Sequence, residues 1–287
     1  MIKIKNKRDE GSLFHYAHFI CDCLFPEIIA DLFNYNEVIR EKNVEQTIGN
    51  FSKIYTDVMM IKNTELLSSD FNNLNVDTIY YKNKEEYNDK IYFDKFRNFI
   101  FERYNIKNLE YNNDYPEVIL IKRNGRINLI NDEYLSKINT NITTGKERRE
   151  INNIIDIEKF LQTKYENKFK SLYFENLHFE DQVKYFNNAK LILCAHGAVM
   201  SNMFFCKEGT TIIEVTCGKH WPFFDKLSNI LKLNHIKCHE NNFDSIIKYI
   251  RTNEKMCKNI KYLCKNIKYL CILYGDKTYK KASYKNS

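Results

Sequence analysis

The sequence predicts an α/β fold with a parallel sheet, and two features of its second half support this. Short apolar segments alternate there with amphipathic ones, as strands alternate with helices that cover both faces of a sheet. The apolar run Leu191–Ala195 indicates a buried strand; it ends at His196-Gly197-Ala198 before a helix, and the next apolar run carries Glu214, which completes a βαβ unit. Predicted strands lie near 118–122, 171–174, 191–195, 211–215 and 235–238, and predicted helices near 156–166, 180–187, 200–205 and 221–232.

The first half of the chain has weaker patterns, from which we predict two helices and one strand. Gly11-Ser12 is a stop and cap before a long helix over Leu13–Phe33, and Pro26 kinks or divides that helix. Ile54–Ile61 is interpreted as a strand, and Phe93–Tyr104 as a helix.

The length of 287 residues suits two domains of ordinary size, and a hydrophobic content of 44% supports a packed interior. Turn-forming residues cluster at Asn112–Pro116, just before a clear strand, and mark a domain boundary. The sequence therefore predicts an N-terminal domain over 1–114, a second domain over 115–245, and a C-terminal helix and tail over 246–287.

Positive charge is concentrated in the tail. The net charge is +7, but residues 251–287 hold 10 basic and 2 acidic residues, so the rest of the chain is nearly neutral. A basic tail can attract nucleic acid or an anionic membrane surface, although a solvated charged end is the simpler interpretation. The tail also contains a tandem repeat, Cys257–Leu263 and Cys264–Leu270, whose apolar residues share one helical stripe.

Several classes of protein are disfavoured by composition. The nine cysteines are odd in number and lack paired spacing, so neither a disulfide framework nor a zinc site is predicted. No run approaches the ~20 apolar residues that a membrane-spanning helix needs, and no signal peptide is evident. We therefore expect a soluble, cytoplasmic protein, and we predict no cofactor.

The βαβ unit could hold a nucleotide. Backbone N–H groups at a helix start are unpaired and favour a phosphate, and ligands of parallel sheets bind beyond the carboxyl ends of the strands. Arg123, His196 and Glu214 fall at such ends; a carboxylate there could accept hydrogen bonds from ribose hydroxyls. The alternative is an ordinary turn in which His196 is a satisfied, half-buried polar group.

Four segments share their pattern and order with one known family. They are His15–Pro26, with His-x-x-x-Asp-x-x-x-Pro; Val118–Glu133, with a strand and paired arginines; Phe174–Ala189, with Glu-x-Gln; and His196–Glu214, with His-Gly-Ala. Together they resemble glycosyltransferase family 61, which includes O-linked N-acetylglucosaminyltransferases and plant xylosyl- and arabinosyltransferases. The resemblance implies a nucleotide site formed by Arg123, Arg126, Gln182, His196, Gly197, Ala198, Asn202 and Glu214.

The resemblance also implies a GT-B architecture, two Rossmann-like domains facing across a cleft, in which the terminal helix packs back on the first domain. It implies an inverting hexosyl- or pentosyltransferase that moves a sugar from a UDP-sugar donor to a hydroxyl of a glycan or protein acceptor. No divalent metal is expected, and the chain contains no Asp-x-Asp, the acidic pair with which metal-dependent transferases hold a diphosphate.

Direct displacement with inversion requires a base that takes the proton of the attacking hydroxyl. His18 and Asp22 are four residues apart on a predicted helix and so share one face. We assign His18 as the base and Asp22 as the carboxylate that orients it. The reverse assignment and the nearby His15 stay open.

Two other functions are compatible with parts of the sequence. One is a nucleotide-sugar-binding pseudoenzyme without turnover, against which the presence of His18, Asp22, Arg123 and Glu214 argues. The other is a basic nucleic-acid-binding protein, which the nearly neutral body and the absence of an aromatic RNA-binding motif disfavour.

Overall fold

The computed structural model describes residues 2–4, 7–8, 11–12, 16–32, 38–40, 51–59, 90–106, 114–124, 149–218 and 222–253. The strands in this part of the chain are β1 Ile2–Ile4, β2 Lys7–Arg8, β3 Gly11–Ser12, β4 Val38–Arg40, β5 Val118–Lys122, β6 Phe169–Tyr173, β7 Leu191–Ala195, β8 Thr211–Val215 and β9 Asn234–Cys238. The α-helices are α1 Tyr16–Phe19, α2 Phe25–Leu32, α3 Ser52–Met59, α4 Lys90–Arg103, α5 Ile154–Tyr165, α6 Phe179–Asn188, α7 Pro222–Ile230 and α8 over 243–253.

Five strands form one parallel sheet in the order β6-β5-β7-β8-β9, which confirms the predicted Rossmann-like sheet. β7 and β8 are buried at every position: β7 is an uninterrupted apolar run, as predicted, whereas β8 also buries the polar residues Thr211 and Glu214. β6 lies at the edge and alternates between buried and more exposed residues. In register, Leu193 lies opposite Leu120 on one side and Ile213 on the other.

The chain changes direction across the sheet between β5 and β7. From β5 it moves outward to β6, and α6 then carries it back across β5 to β7, after which β8 and β9 follow in sequence. Such a reversal leaves a crevice at the carboxyl ends of the two central strands, where open α/β sheets bind their ligands. Here the crevice lies between the ends of β5 and β7.

Helices cover both faces of the sheet. On one face, Leu120, Leu193 and Ile213 pack with α5 and α8. On the other, Ile119 and Ile192 pack with α6, α7 and a 3-10 helix, Ala198–Phe205, which in turn contact the N-terminal helices. The predicted domain end at 245 falls inside α8, so the sheet domain extends to Asn253 at least.

The predicted helix Leu13–Phe33 is present from Tyr16 to Leu32 in the described residues, but a π turn at Ile20–Leu24 divides it. The Phe25 N–H bonds to the carbonyl oxygen of Ile20, five residues back. Proline cannot donate the next helical hydrogen bond, and its ring clashes with the preceding turn. The wider π turn just before Pro26 therefore agrees with the predicted interruption.

The prediction of a strand over Ile54–Ile61 is wrong, because Ser52–Met59 is the helix α3. Tyr55 and Val58 are both buried and lie three residues apart, whereas Asp57 between them is exposed. This spacing places the apolar residues on one helical face, a period that the short apolar run concealed.

The N-terminal part contains short strand pairs rather than a second sheet, as far as the described residues extend. β1 pairs with β4 in parallel, and β2 with β3 antiparallel. The GT-B arrangement of two Rossmann-like domains thus stays a prediction. The tail with its tandem repeat, residues 254–287, lies outside the described residues. No helix in the described part is long and apolar enough to cross a bilayer.

An aromatic cluster joins the N-terminal helices to the sheet domain. Phe204, from the 3-10 helix, is fully buried, and its ring centroid lies 5.5 Å from that of Phe25, 5.3 Å from Phe93 and 5.1 Å from Phe96. These stacked and edge-on arrangements are the favourable ones for aromatic rings. The two halves of the chain are therefore packed through one shared core.

We predict that Phe204→Ala lowers the free energy of unfolding by about 3–5 kcal/mol, since it removes a buried ring and leaves a cavity between the two halves. Urea denaturation followed by circular dichroism would measure this. Ile155→Ala is the control: that side chain is 65% exposed, so a change within about 0.5 kcal/mol is expected. Equal midpoints for the two variants would contradict the importance of the cluster.

Candidate active site

The site is built on the turn that follows β7. The His196 N–H bonds to the carbonyl oxygen of Val215 at 2.8 Å, and the Met200 N–H bonds to that of Gly197 at 3.0 Å. The element predicted as a helix near 200–205 is the 3-10 helix that begins at Ala198. Its first backbone N–H groups lie at the carboxyl edge of the sheet, beside the end of β5.

Two arginines converge on this turn. Arg123 directly follows β5, and a Cβ atom at Gly197 would lie only 2.7 Å from its Nη2 atom, so glycine is what allows the guanidinium this close. Arg149 donates from Nη1 to the carbonyl oxygen of His196 at 3.0 Å. Burial raises the pKa of the Cys217 thiol while the charges of both arginines oppose that shift, so both lie near the end of β8 as well.

The buried carboxylate of Glu214 is hydrogen-bonded to the side chain of His196. Glu214 is 1% exposed; one of its oxygens accepts a hydrogen bond from Nδ1 of His196, and the other is 2.7 Å from Nε2 of His235. Burial raises the pKa of Glu214, but the hydrogen bonds and charges of the two histidines outweigh burial and bring this pKa to about 2. Glu214 is therefore ionised at neutral pH.

The network continues from His235 to α7. Nδ1 of His235 is 3.2 Å from the Ser228 hydroxyl and 3.5 Å from a carboxylate oxygen of Asp225, whose other oxygen pairs with Lys237 at 2.6 Å. Oxygens thus face both ring nitrogens of His235. A series of polar contacts thus leads from His196 through Glu214 and His235 to Asp225 on α7.

Glu214 was predicted to bind ribose hydroxyls, and this contact stays a prediction, but the structure shows a second set of partners for the carboxylate. Both of its oxygens accept hydrogen bonds from histidines in the interior. A bond to ribose would require one of these to be exchanged. The geometry favours a carboxylate that orients His196, whose own carbonyl oxygen in turn orients Arg149.

Gln182 and Asn202 were also predicted to form part of the nucleotide site, and both side chains lie in the interior. Asn202 is fully buried and donates to Gln182 Oε1 at 3.2 Å, while its Oδ1 accepts from the Tyr16 hydroxyl at 2.6 Å. Their side chains therefore support the 3-10 helix from behind rather than line its exposed start.

The remaining predicted residues are partly described. His18 is half-buried on α1, a helix that packs against the 3-10 helix, and Asp22 lies in the π turn. Arg126 lies outside the described residues. The site thus brings together Arg123, His196, Gly197 and Ala198.

Sequence reasoning missed Arg149 and His235. Arg149 belongs to the charged stretch Lys146–Glu150, which has the composition of an exposed loop. His235 lies on β9 opposite Ile212, and only the pairing of β8 with β9 brings its ring to Glu214. Neither residue has a local sequence signal.

A comparison with known families agrees with this geometry. The family described as Glycosyltransferase 61 matches residues 16–213, more than half of the 287 residues. The chain belongs to glycosyltransferase family 61. The match includes the family 61 segments that carry His18, Arg123, Gln182 and His196, and it ends just before Glu214. A comparison with curated protein sequences finds no significant match.

We predict that Glu214→Gln lowers stability at pH 7 by about 1–3 kcal/mol, because a charged acceptor of two buried hydrogen bonds is lost. The folded-state pKa of about 2 is below the ordinary 4.5, so the carboxylate stabilises the fold above pH 4.5 and ceases to as pH falls towards 2. The difference between wild type and variant, measured by urea unfolding at successive pH values, should shrink over that interval.

Glu208→Gln provides the control for this pH series. Glu208 is exposed and pairs with Lys232 on the surface at 3.1 Å, so its removal should change stability little at any pH. A wild-type advantage over Glu214→Gln that stayed constant from pH 7 to the lowest pH at which both fold would contradict the buried ion network.

Proposed function

We propose that this family 61 glycosyltransferase transfers a sugar from a UDP-sugar to a hydroxyl acceptor, with inversion at the anomeric carbon and without a divalent metal. The observation that carries the proposal is the convergence of Arg123 and Arg149 on the His196–Gly197 turn, at the point where the chain reverses across the sheet. Two guanidinium groups beside the N-terminal end of the 3-10 helix are suited to a diphosphate.

The leaving group gains negative charge as the glycosidic bond breaks. Guanidinium groups bind phosphate oxygens with strong, often bidentate hydrogen bonds, and groups fixed before the reaction stabilise the developing charge at no reorganisation cost. Glu214 supports this function indirectly: it orients His196, and the His196 carbonyl oxygen positions Arg149. The arginines thus take the charge-neutralising role that a metal ion has in other transferases.

In the displacement step, the oxygen of the acceptor hydroxyl forms a bond to the anomeric carbon as the bond from that carbon to the diphosphate oxygen breaks. The electron pair of the broken bond leaves with UDP, and the hydroxyl proton passes to His18, with Asp22 as its partner or as the alternative base. The packing of α1 against the 3-10 helix supports this assignment, because it places the helix of His18 beside the element that begins at the turn.

The function itself is tested by UDP release. Purified protein incubated with UDP-N-acetylglucosamine, UDP-xylose and related donors should release UDP slowly with water as the acceptor, with and without EDTA. UDP should raise the melting temperature in both conditions. Tight binding of UDP-sugars with no UDP release from any donor would instead establish a binder without turnover.

We predict that Arg149→Ala and Arg123→Ala each weaken UDP binding ten-fold or more, because a charge-assisted hydrogen bond contributes roughly 1.5–3 kcal/mol. Turnover should fall with affinity, while the affinity for uridine, which has no diphosphate, should not change. Arg103→Ala is the matched control, since Arg103 pairs with Asp57 on the N-terminal helices. Wild-type UDP affinity in both site variants, measured by calorimetry, would exclude the diphosphate assignment.

We predict that His18→Ala lowers turnover by about 10²–10⁴-fold with little change in UDP affinity, as expected for loss of a general base. His178→Ala, which removes an exposed histidine at the start of α6, should retain full activity. If Asp22→Asn lowers turnover far more than His18→Ala, the two roles are exchanged. If neither variant loses activity, the base is another group.

A further inference from the structure

A chain of hydrogen bonds runs from the sheet domain to the first turn of α1, and its direction is fixed. Gln182 Nε2 donates to the carbonyl oxygens of Phe174 and Leu177, both at 3.2 Å. Because a carbonyl oxygen can only accept, this orients the amide, and its Oε1 must accept from Asn202 Nδ2 at 3.2 Å. The Oδ1 atom of Asn202 is then an acceptor too, and the Tyr16 hydroxyl donates to it at 2.6 Å.

This series of hydrogen bonds uses polar side chains, although apolar packing could also join α1 to the 3-10 helix. Phe25, on α2, already stacks on Phe204 of the same 3-10 helix. Buried amides destabilise a fold unless they are hydrogen-bonded, so Asn202 and Gln182 are tolerated only when the full chain is formed. Hydrogen bonds, unlike apolar contacts, specify one relative orientation of the groups they join. The chain therefore sets the rotation of α1 relative to the 3-10 helix.

The first turn of α1 needs such an anchor. The α-helical segment has only four residues, Tyr16–Phe19, before the π turn at Ile20 begins. The start of this helical stretch depends on side-chain contacts as well as on its own hydrogen bonds, and Tyr16 and Phe19 also pack on Phe51. His18 lies two residues after the anchored Tyr16, and Asn202 lies on the 3-10 helix that begins after Gly197. One chain of hydrogen bonds thus spans the elements of the proposed base and of the proposed diphosphate turn.

We propose that Tyr16 is a positioning residue for catalysis: its hydrogen bond to Asn202 sets the placement of the proposed base His18 relative to the donor's anomeric carbon. This inference rests on the proposed function. Tyr16 acts through the helix and touches neither the donor nor the transferred proton. Gln182 and Asn202 are then the supports of this contact rather than ligands of the nucleotide.

The test compares Tyr16→Phe with Tyr115→Phe. Tyr115 also donates a hydrogen bond from its hydroxyl to another element, to Asp181 on α6 at 3.1 Å. Tyr115 takes no part in the series of hydrogen bonds that leads from Gln182 to Tyr16. UDP release from the UDP-sugar that the wild type cleaves fastest gives kcat, calorimetry gives the UDP affinity, and urea unfolding confirms that each variant is folded. We expect Tyr16→Phe to lower kcat about ten-fold or more, because misplacement of a catalytic group by an ångström can cost up to 10²-fold.

The UDP affinity of Tyr16→Phe should stay within about two-fold of wild type, and Tyr115→Phe should keep the wild-type kcat. The decisive measurement adds Tyr16→Phe to His18→Ala. No further loss of kcat is expected there, since the placement of an absent base has no effect, whereas a purely structural defect would reduce kcat equally in both backgrounds.

Two outcomes overturn the inference and differ from failure of the proposed function. An unchanged kcat in Tyr16→Phe, together with an inactive His18→Ala, refutes the role of Tyr16 and leaves the base assignment intact. Equal losses from Tyr16→Phe in the wild-type and His18→Ala backgrounds reduce Tyr16 to a structural residue. Full activity of His18→Ala refutes the proposed base, and the positioning role with it.

Discussion

Parallel pairing of Ile119 with Ile192 and of Ile121 with Cys194 puts the ends of β5 and β7 side by side. The next residues along these strands, Arg123 and the His196–Gly197 turn, are more than 70 positions apart in the chain and meet only through this register. A shift by one residue would turn Arg123 to the other face of the sheet. The arginine contact with Gly197, the placement of Arg149 and the start of the 3-10 helix all follow from the two central strands.

The turn is supported from two sides by buried polar groups, which is costly in a protein interior. On one side Glu214 hydrogen-bonds to both His196 and His235, and on the other Asn202 and Gln182 lie behind the 3-10 helix. Apolar side chains of similar size could fill either space. What polar groups add is a single orientation for the atoms they bond, and each set ends at a group with a proposed role: Arg149 on one side and the helix of His18 on the other.

Sequence patterns identified best the elements that are buried on every side, because such elements consist mostly of apolar residues. β7 has its predicted bounds because a strand buried on both faces is apolar throughout, and β8 has them although it also buries Thr211 and Glu214. α3 was missed because its apolar residues form a run too short to separate a helical from a strand period. Within the site, the sequence alone predicts that Gly197 lies in the turn after the strand β7. Whether a polar residue beside such a motif meets the ligand or supports the turn depends on long-range partners: Asn202 bonds to Tyr16, 186 positions away.

The packing of α1 has a consequence for how catalysis is arranged. In a GT-B enzyme the acceptor side faces the nucleotide across a cleft, so a base carried by the opposite domain would reach the donor only when the cleft closes. Here α2 is joined to the 3-10 helix at the edge of the parallel sheet by the stacking of Phe25 on Phe204, and α1 is joined to it by the hydrogen bond from Tyr16. The proposed base therefore belongs to the same packed core as the diphosphate turn. In the proposed mechanism, core packing therefore sets the position of the helix of His18 relative to the His196–Gly197 turn.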